Sequence, residues 1–217
     1  MNTTLTPKNE RLSQEPWMNQ PATGPRFMMW VDGVGGYLVC LSESVRIGQA
    51  VRESRVELPL VGDVSRHHAT ILRQGDGYSL EPFAGVAICG NTVVGRRHLS
   101  DGDVLELGRS TRIRFRQPHP LSASARLEWA SHHRSQPAAD GVLLMASSCI
   151  LGPATGNHVV CRTWENDVVL VRQGQTLTCH SNQPFEVDGV ACEGRAPVTL
   201  DSRIQGQDFC ISLERFD

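Results

Sequence analysis

The feature that most constrains this chain is the spacing of its turn signals. From residue 26 onward, short apolar or β-branched runs are interrupted about every 8 to 12 residues by Gly, Asp, Ser or Pro. In order, the first runs are RFMMWV, YLVCL, VRI, VEL, HATIL, YSLE, VAI, TVV, VLEL and RIRF. None keeps a helical period over the length a helix needs, so the rhythm predicts an all-β sandwich or barrel.

Length and composition narrow the options further. The 217 residues leave room for one large domain or two small ones. Hydrophobic residues make up 40% and charged residues 20%, the balance of an ordinary globular protein. The net charge of −2 and the lack of a basic stripe argue against a nucleic-acid or anionic-membrane partner. Lys8 is the only lysine among 21 basic residues, so nearly all cationic chemistry here is guanidinium chemistry. No apolar run is long enough to span a membrane, and the first residues lack the apolar stretch of a signal peptide. The seven cysteines, at 40, 89, 149, 161, 179, 192 and 210, are odd in number and form no C-x-x-C pair. Reduced, mostly buried thiols in a cytoplasmic protein are expected.

The second half repeats the first. RFMMW at 26–30 is matched by RLEW at 126–129, and GYLVCLSESVRIG at 36–48 by GVLLMASSCILG at 141–152. ILRQG (71–75) returns as LVRQG (170–174), AICG (87–90) as EVDG (186–189), and GDVLEL (102–107) is matched by QDFCISL (207–213). A period of about 100 residues kept at five places predicts a tandem duplication of one β-sandwich. The expected organisation is a disordered arm at 1–24, a first sandwich at 25–118 and a degenerate second one at 119–217, with a boundary in QPHPLSAS. Residues 26–118 hold 12 arginines against 10 acids, and residues 119–217 hold 7 against 11.

The chemistry concentrates in GDVSRHHATI, residues 62–71, where Ser65, Arg66, His67 and His68 precede a strand. Such a cluster can be a nucleophile with its base, half of a metal site, or a phosphate cradle. A hydrolase needs an oriented base and an oxyanion hole, and no G-x-S-x-G elbow is present. Zinc needs four ligands, and the histidines at 98, 119, 132, 133, 158 and 180 form no recognised spacing. His132 and His133 are expected in a solvated loop. Asp101 and Gly102 are the residues of a tight turn rather than an acid/base pair. The four tryptophans are expected in packing, with Trp30 and Trp129 at matched places.

The first unit resembles the forkhead-associated (FHA) domain. The likeness rests on V-R-I-G at 45–48, VELPL at 56–60, S-R-H-H-A at 65–69, Y-S-L-E at 78–81 and L-S-D-G-D-V-L-E-L-G at 99–108. It implies a β-sandwich that binds phosphothreonine peptides on loops at one end, without catalysis and without a cofactor. By this resemblance Ser65 donates its hydroxyl to a phosphate oxygen and Arg66 adds charge-assisted donors. His68 ties the loop to neighbouring backbone, His67 points outward, and Gly48 supports the first loop.

Several positions depart from the family pattern. Gln49 stands where the family's phosphate-contacting arginine follows the glycine, and Arg46, Arg52 and Arg55 are the nearby guanidiniums that remain. The loop that carries an Asn-Gly-Thr grip in the family is shortened, with Ala84 in place of the asparagine and Cys89-Gly90 in place of the later Asn-Gly. The second unit has no S-R-x-H. The expected binding set is Ser65, Arg66, Gln49 and Arg55, supported by Gly48 and His68. The expected partner is a phosphothreonine-containing protein, such as a kinase substrate. The competing expectation is a scaffold that kept the fold and binds its partners without phosphate.

Overall fold

The structure is a computed structural model, and it describes residues 23–216 apart from 52 and 120. The expected N-terminal arm therefore lies, but for its last two residues, outside the described residues. Among the described residues there are 23 strands and no helix. The strand Thr111–Arg116 illustrates the cause: Thr111, Ile113 and Phe115 face inward while Arg112 and Arg114 face solvent, the alternation of a half-buried strand. Two tight hairpin turns are set by left-handed backbone, at Cys89-Gly90 (φ 49 and 79) and at Asp188-Gly189 (φ 54 and 82). Positive φ at both central residues is the geometry that joins twisted antiparallel strands in two residues. The two turns fall 99 residues apart.

The strands form sheets of twelve, six and five. The twelve-stranded sheet runs from Val190–Cys192 through Phe185–Val187, Arg203–Gly206 and Cys210–Arg215 to Arg26–Val31 and Gly35–Cys40. It continues through Gly141–Leu144, Ala125–Trp129, Thr111–Arg116, Val104–Leu107 and Val86–Ile88 to Asn91–Thr92. The first hairpin of the chain thus lies among second-half strands: Arg26–Val31 pairs with Cys210–Arg215. Conversely, Ala125–Trp129 from the second half pairs with Thr111–Arg116. The seam between them is parallel, with Leu38 opposite Val142 and Val39 opposite Leu143.

Alternation along these central strands builds two cores on opposite faces of one sheet. Met28, Leu38, Leu127 and Val142 join Ile47, Leu58, Leu80 and Phe115 beneath the six-stranded sheet. Phe27, Met29, Val39 and Leu143 join Leu151, Leu170 and Ile211 beneath the five-stranded sheet. Strands buried on both faces read as unbroken apolar runs, which accounts for FMMWV, YLVC and VLLM. Each fully buried side chain of this kind contributes about 1.5–3 kcal/mol, and the two cores share the strands that supply them.

The six-stranded sheet runs Arg134–Ser135, Leu58–Val61, Ser44–Gln49, Ala69–Gln74, Gly77–Pro82, Arg97–Leu99. The five-stranded sheet runs Val159–Val160, Ser148–Gly152, Val168–Gln173, Thr176–Ser181, Arg195–Val198. Order and direction correspond strand for strand, with Ile47 opposite Leu58 and Ala69 in one and Leu151 opposite Val159 and Val168 in the other. The strand Arg134–Ser135 alone has no counterpart. Trp129 donates its indole N–H to Ala139 O at 2.7 Å beside the first core. Its match Trp30 is 43% exposed, its indole N–H bound to Glu214 at 2.8 Å.

Candidate functional site

Ser65, Arg66, His67 and His68 lie on the loop between Leu58–Val61 and Ala69–Gln74, at one end of the six-stranded sheet. That loop packs directly on the end of strand Ser44–Gln49. A Cβ added to Gly48 would lie 2.6 Å from the Arg66 carbonyl carbon and closer still to its oxygen, so only glycine fits. Two backbone bonds close the same gap: Gln49 N–H donates to Ser65 O at 2.9 Å, and His68 N–H donates to Ile47 O at 2.8 Å.

His68 is buried and pins the loop from within. Its Nδ1 accepts the Ser65 amide at 3.1 Å, which places the proton on Nε2, where it is donated to Gly85 O at 3.0 Å. The Gly108 N–H is aimed at the same Nε2 from 3.2 Å. Burial holds the His68 pKa below its usual value, against the opposing pull of the Gly85 bond and Asp63. The His68 carbonyl accepts from both Phe83 and Ala84 at 2.9 and 3.0 Å. Backbone bonds thus tie the loop at Ala84 to His68, and no amide side chain is available there to grip a peptide.

The side chains of Ser65 and Arg66 are exposed at the end of this braced loop. The Arg66 carbonyl also accepts the Ser54 hydroxyl at 2.8 Å, which brings the neighbouring loop and exposed Arg55 beside it. Gln49 is half-buried. Among the described residues, Arg55 and Arg66 form no ion pair. Arg46 is placed differently: its guanidinium binds buried Glu57 at 2.7 Å, and its own amide donates to the same carboxylate. Arg52 lies outside the described residues.

His67 does not simply face solvent. Its ring stacks on exposed Phe83 with centroids 4.0 Å apart, and its Nε2 lies 2.8 Å from Thr70 Oγ1. Burial, and next to it the positive charge of Arg46, lower its pKa, which favours the neutral ring in the stack. This aromatic pair is a feature that the loop sequence alone does not announce.

Register locates the matching positions in the second half. Because Leu151 faces Val168 as Ile47 faces Ala69, residues 164–167 stand where 65–68 do. They are Trp164, Glu165, Asn166 and Asp167. Trp164 is buried against Phe209 at 5.3 Å, the Glu165 amide binds Asp208, and Asp167 accepts from Asn157 at 2.7 Å. Three carboxylates, those of Glu165, Asp167 and Asp208, stand at that end.

Four cysteine thiols, those of Cys40, Cys149, Cys161 and Cys179, are buried and pushed up to about 12 by that burial, which keeps them unreactive. Among the described residues no helix is long and apolar enough to cross a membrane. No cluster of His, Cys, Asp and Glu there has the makings of a metal site.

With this geometry in place, comparison with known proteins identifies the class. The family model of the FHA domain matches residues 45–108, a span that includes every residue of the braced end from Gly48 to Gly108. An FHA domain solved in a study of phosphothreonine-dependent FHA interactions is 30% identical, over 44% of this chain and 99% of its own, with a TM-score of 0.34. The FHA domain of FhaA, complexed with the intracellular domain of Rv3910, is 28% identical over 38% of this chain and 91% of its own, with a TM-score of 0.29. EmbR of Mycobacterium tuberculosis, in complex with a low affinity phosphopeptide, is 25% identical over 42% of this chain and 23% of its own, with a TM-score of 0.29. No curated protein matches the chain. The chain belongs to the FHA-domain family.

Proposed function

We propose that this protein is a non-catalytic interaction module that binds phosphothreonine-containing partners at the end of its first sandwich. The observation that carries this reading is the loop lock. The Ser65 amide is fixed on the His68 ring while the Ser65 hydroxyl side chain and the Arg66 guanidinium stay exposed. A hydroxyl carried on fixed backbone beside unpaired guanidiniums suits a phosphate dianion, which rewards charge-assisted donors. Arg55 takes the role that Gln49 cannot fill. The same lock argues against a serine hydrolase, because both His68 nitrogens serve the backbone and His67 serves Thr70 and Phe83.

The second half, 119–217, is on this reading a degenerate copy of the first, 25–118, with Trp164 to Asp167 in place of the phosphate-reading residues. The seven free thiols fit a cytoplasmic, reducing setting. Gln49 and Ala84 favour the second reading, a scaffold that binds partners without phosphate.

Fluorescence anisotropy against a degenerate phosphothreonine library, with the same library unphosphorylated, separates the two. Each charge-assisted bond contributes about 1.5–3 kcal/mol. Phosphate-dependent binding should therefore weaken at least about 100-fold in a Ser65→Ala/Arg66→Ala double variant. Equal binding of both libraries, or no effect of the double variant, supports the scaffold instead.

A further inference from the structure

The strand without a counterpart, Arg134–Ser135, belongs to the second half in sequence and to the first sandwich in space. It pairs with Leu58–Val61, Arg134 opposite Val61 and Ser135 opposite Leu60, and the Gln136 amide continues the pairing to Pro59 O at 3.0 Å. Val61 is the last residue before the loop that carries Ser65. Gly62, the next one, lies so close to the incoming segment that a Cβ would be 2.9 Å from the His133 ring. That ring is held by Ser131 and Ser110 at 3.0 and 3.2 Å. Ser110 in turn follows Gly108 and Arg109, which touch His68 and Asp63. The second half thus braces both loops beside Ser65.

Between Val61 and the segment 132–138 a cleft of about 410 Å³ opens. Val61, 55% exposed, forms an apolar wall. His132 and Arg134 are exposed on its rim, and no acidic residue lines it. Among the described residues neither His132 nor Arg134 forms an ion pair. Three residues lie between Val61 and Ser65, and the four steps of chain span at most about 14 Å when fully extended. An extended peptide covers that distance in about four residues.

We propose that this cleft is a second subsite for the phosphothreonine partner, in which Arg134 and His132 take an acidic side chain carried within about five residues of the phosphothreonine. The inference rests on the reading of Ser65 and Arg66 as the phosphate site. It gives the second half a function: it supplies specificity to a site on the first.

The test is a coupling measurement by anisotropy at low salt. Phosphothreonine peptides with Asp or Glu at flanking positions are compared with the same peptides carrying Ala there. Both sets are titrated into the wild-type chain, Arg134→Ala, His132→Ala and Arg134→Glu. One exposed ion pair is a modest contact, so the acidic peptides should bind wild type about three- to fivefold more tightly. That advantage, the ratio of acidic to Ala peptide affinity on the same protein, should shrink towards onefold in Arg134→Ala, weaken in His132→Ala and reverse in Arg134→Glu. An acidic advantage that is absent in wild type, or unchanged in the variants while phosphate-dependent binding persists, overturns the subsite alone. No phosphate-dependent binding by wild type overturns the reading of Ser65 and the subsite together.

Discussion

Gly48→Ala probes the packing on which the site depends. The new methyl would sit 2.6 Å from the Arg66 carbonyl carbon, where ordinary contact begins near 3.4 Å. The obstruction is backbone, so no side chain can swing away, and strand and loop must part by about 1 Å. The bonds Gln49 to Ser65 at 2.9 Å and His68 to Ile47 at 2.8 Å span that gap and would stretch past bonding distance. Each such bond is worth about 1 kcal/mol, and groups left buried and unpaired cost more. A loss of about 3 kcal/mol follows, or a urea midpoint lower by about 1–1.5 M for a slope of 2–3 kcal/mol/M. Phosphopeptide affinity should fall more than about tenfold, because Ser65 moves with the loop. Gly85→Ala is the control: nothing lies within 4 Å of its would-be Cβ, and its carbonyl still accepts from His68. Its stability should stay within about 0.5 kcal/mol of wild type. The reasoning is refuted if Gly48→Ala unfolds and binds like wild type, or if Gly85→Ala is equally damaging.

Two further perturbations act at matching register positions, just before Leu58 of the six-stranded sheet and Val159 of the five-stranded one. Glu57 is only 2% exposed and accepts from the Gly24 amide, the Arg46 amide and the Arg46 guanidinium. Glu57→Ala removes the buried carboxylate that these donors share, and chemical denaturation should show a loss of about 3–5 kcal/mol. Burial alone would raise the Glu57 pKa, but the Arg46 and backbone bonds outweigh it and hold the carboxyl low. Its contribution is therefore present above pH about 4.5 and fades as pH falls below that, and Glu57→Ala should lose this acid dependence. His158 takes the corresponding place in the second half, its Nδ1 accepting the Ile150 amide at 3.0 Å. Burial, with help from His119 and Arg126, lowers its pKa to about 4. The unfolded chain takes up this proton near pH 6.5 and the folded one resists until about 4, so stability should decline as pH falls through that window. Urea midpoints at pH 7, 5.5 and 4.5 test it. His158→Asn, whose Oδ1 stands where Nδ1 does, keeps the acceptor without the titration and should flatten the profile, and an unchanged slope would contradict the assignment.

The strands were legible because turn chemistry cut them cleanly. The hairpin turns at Cys89-Gly90 and Asp188-Gly189 fall where the repeated AICG and EVDG place them. The family resemblance, not local sequence, gave His68 the task of tying the loop to backbone, and its ring bonds to the Ser65 amide and Gly85 O. What the sequence hid is pairing between distant segments. FMMWV and YLVC announce strands buried on both faces, but nothing in them chooses Cys210–Arg215 over Thr111–Arg116 as the neighbour. Arg46 was one of three guanidiniums near Gln49, and spacing alone could not choose among them. Only the fold brings Glu57 beneath Arg46, by laying Leu58 parallel to Ile47. His133 read as a solvated loop residue because the strand that delivers it to Gly62 is two residues long, too short to carry a pattern. The His67–Phe83 stack depends on two loops meeting, which local sequence does not encode.

The central claim is that one braced end of the first sandwich reads phosphothreonine, and amide NMR of the ¹⁵N-labelled chain tests it most directly. On titration with a phosphothreonine peptide, the account predicts saturable shifts at Gly48, Gln49, Ser65, Arg66, His67, His68 and Phe83 to Gly85. The amides of Trp164 to Asp167 should stay unmoved, and the unphosphorylated peptide should leave the spectrum unchanged. Shifts centred elsewhere, or identical shifts with and without the phosphate, would contradict the account.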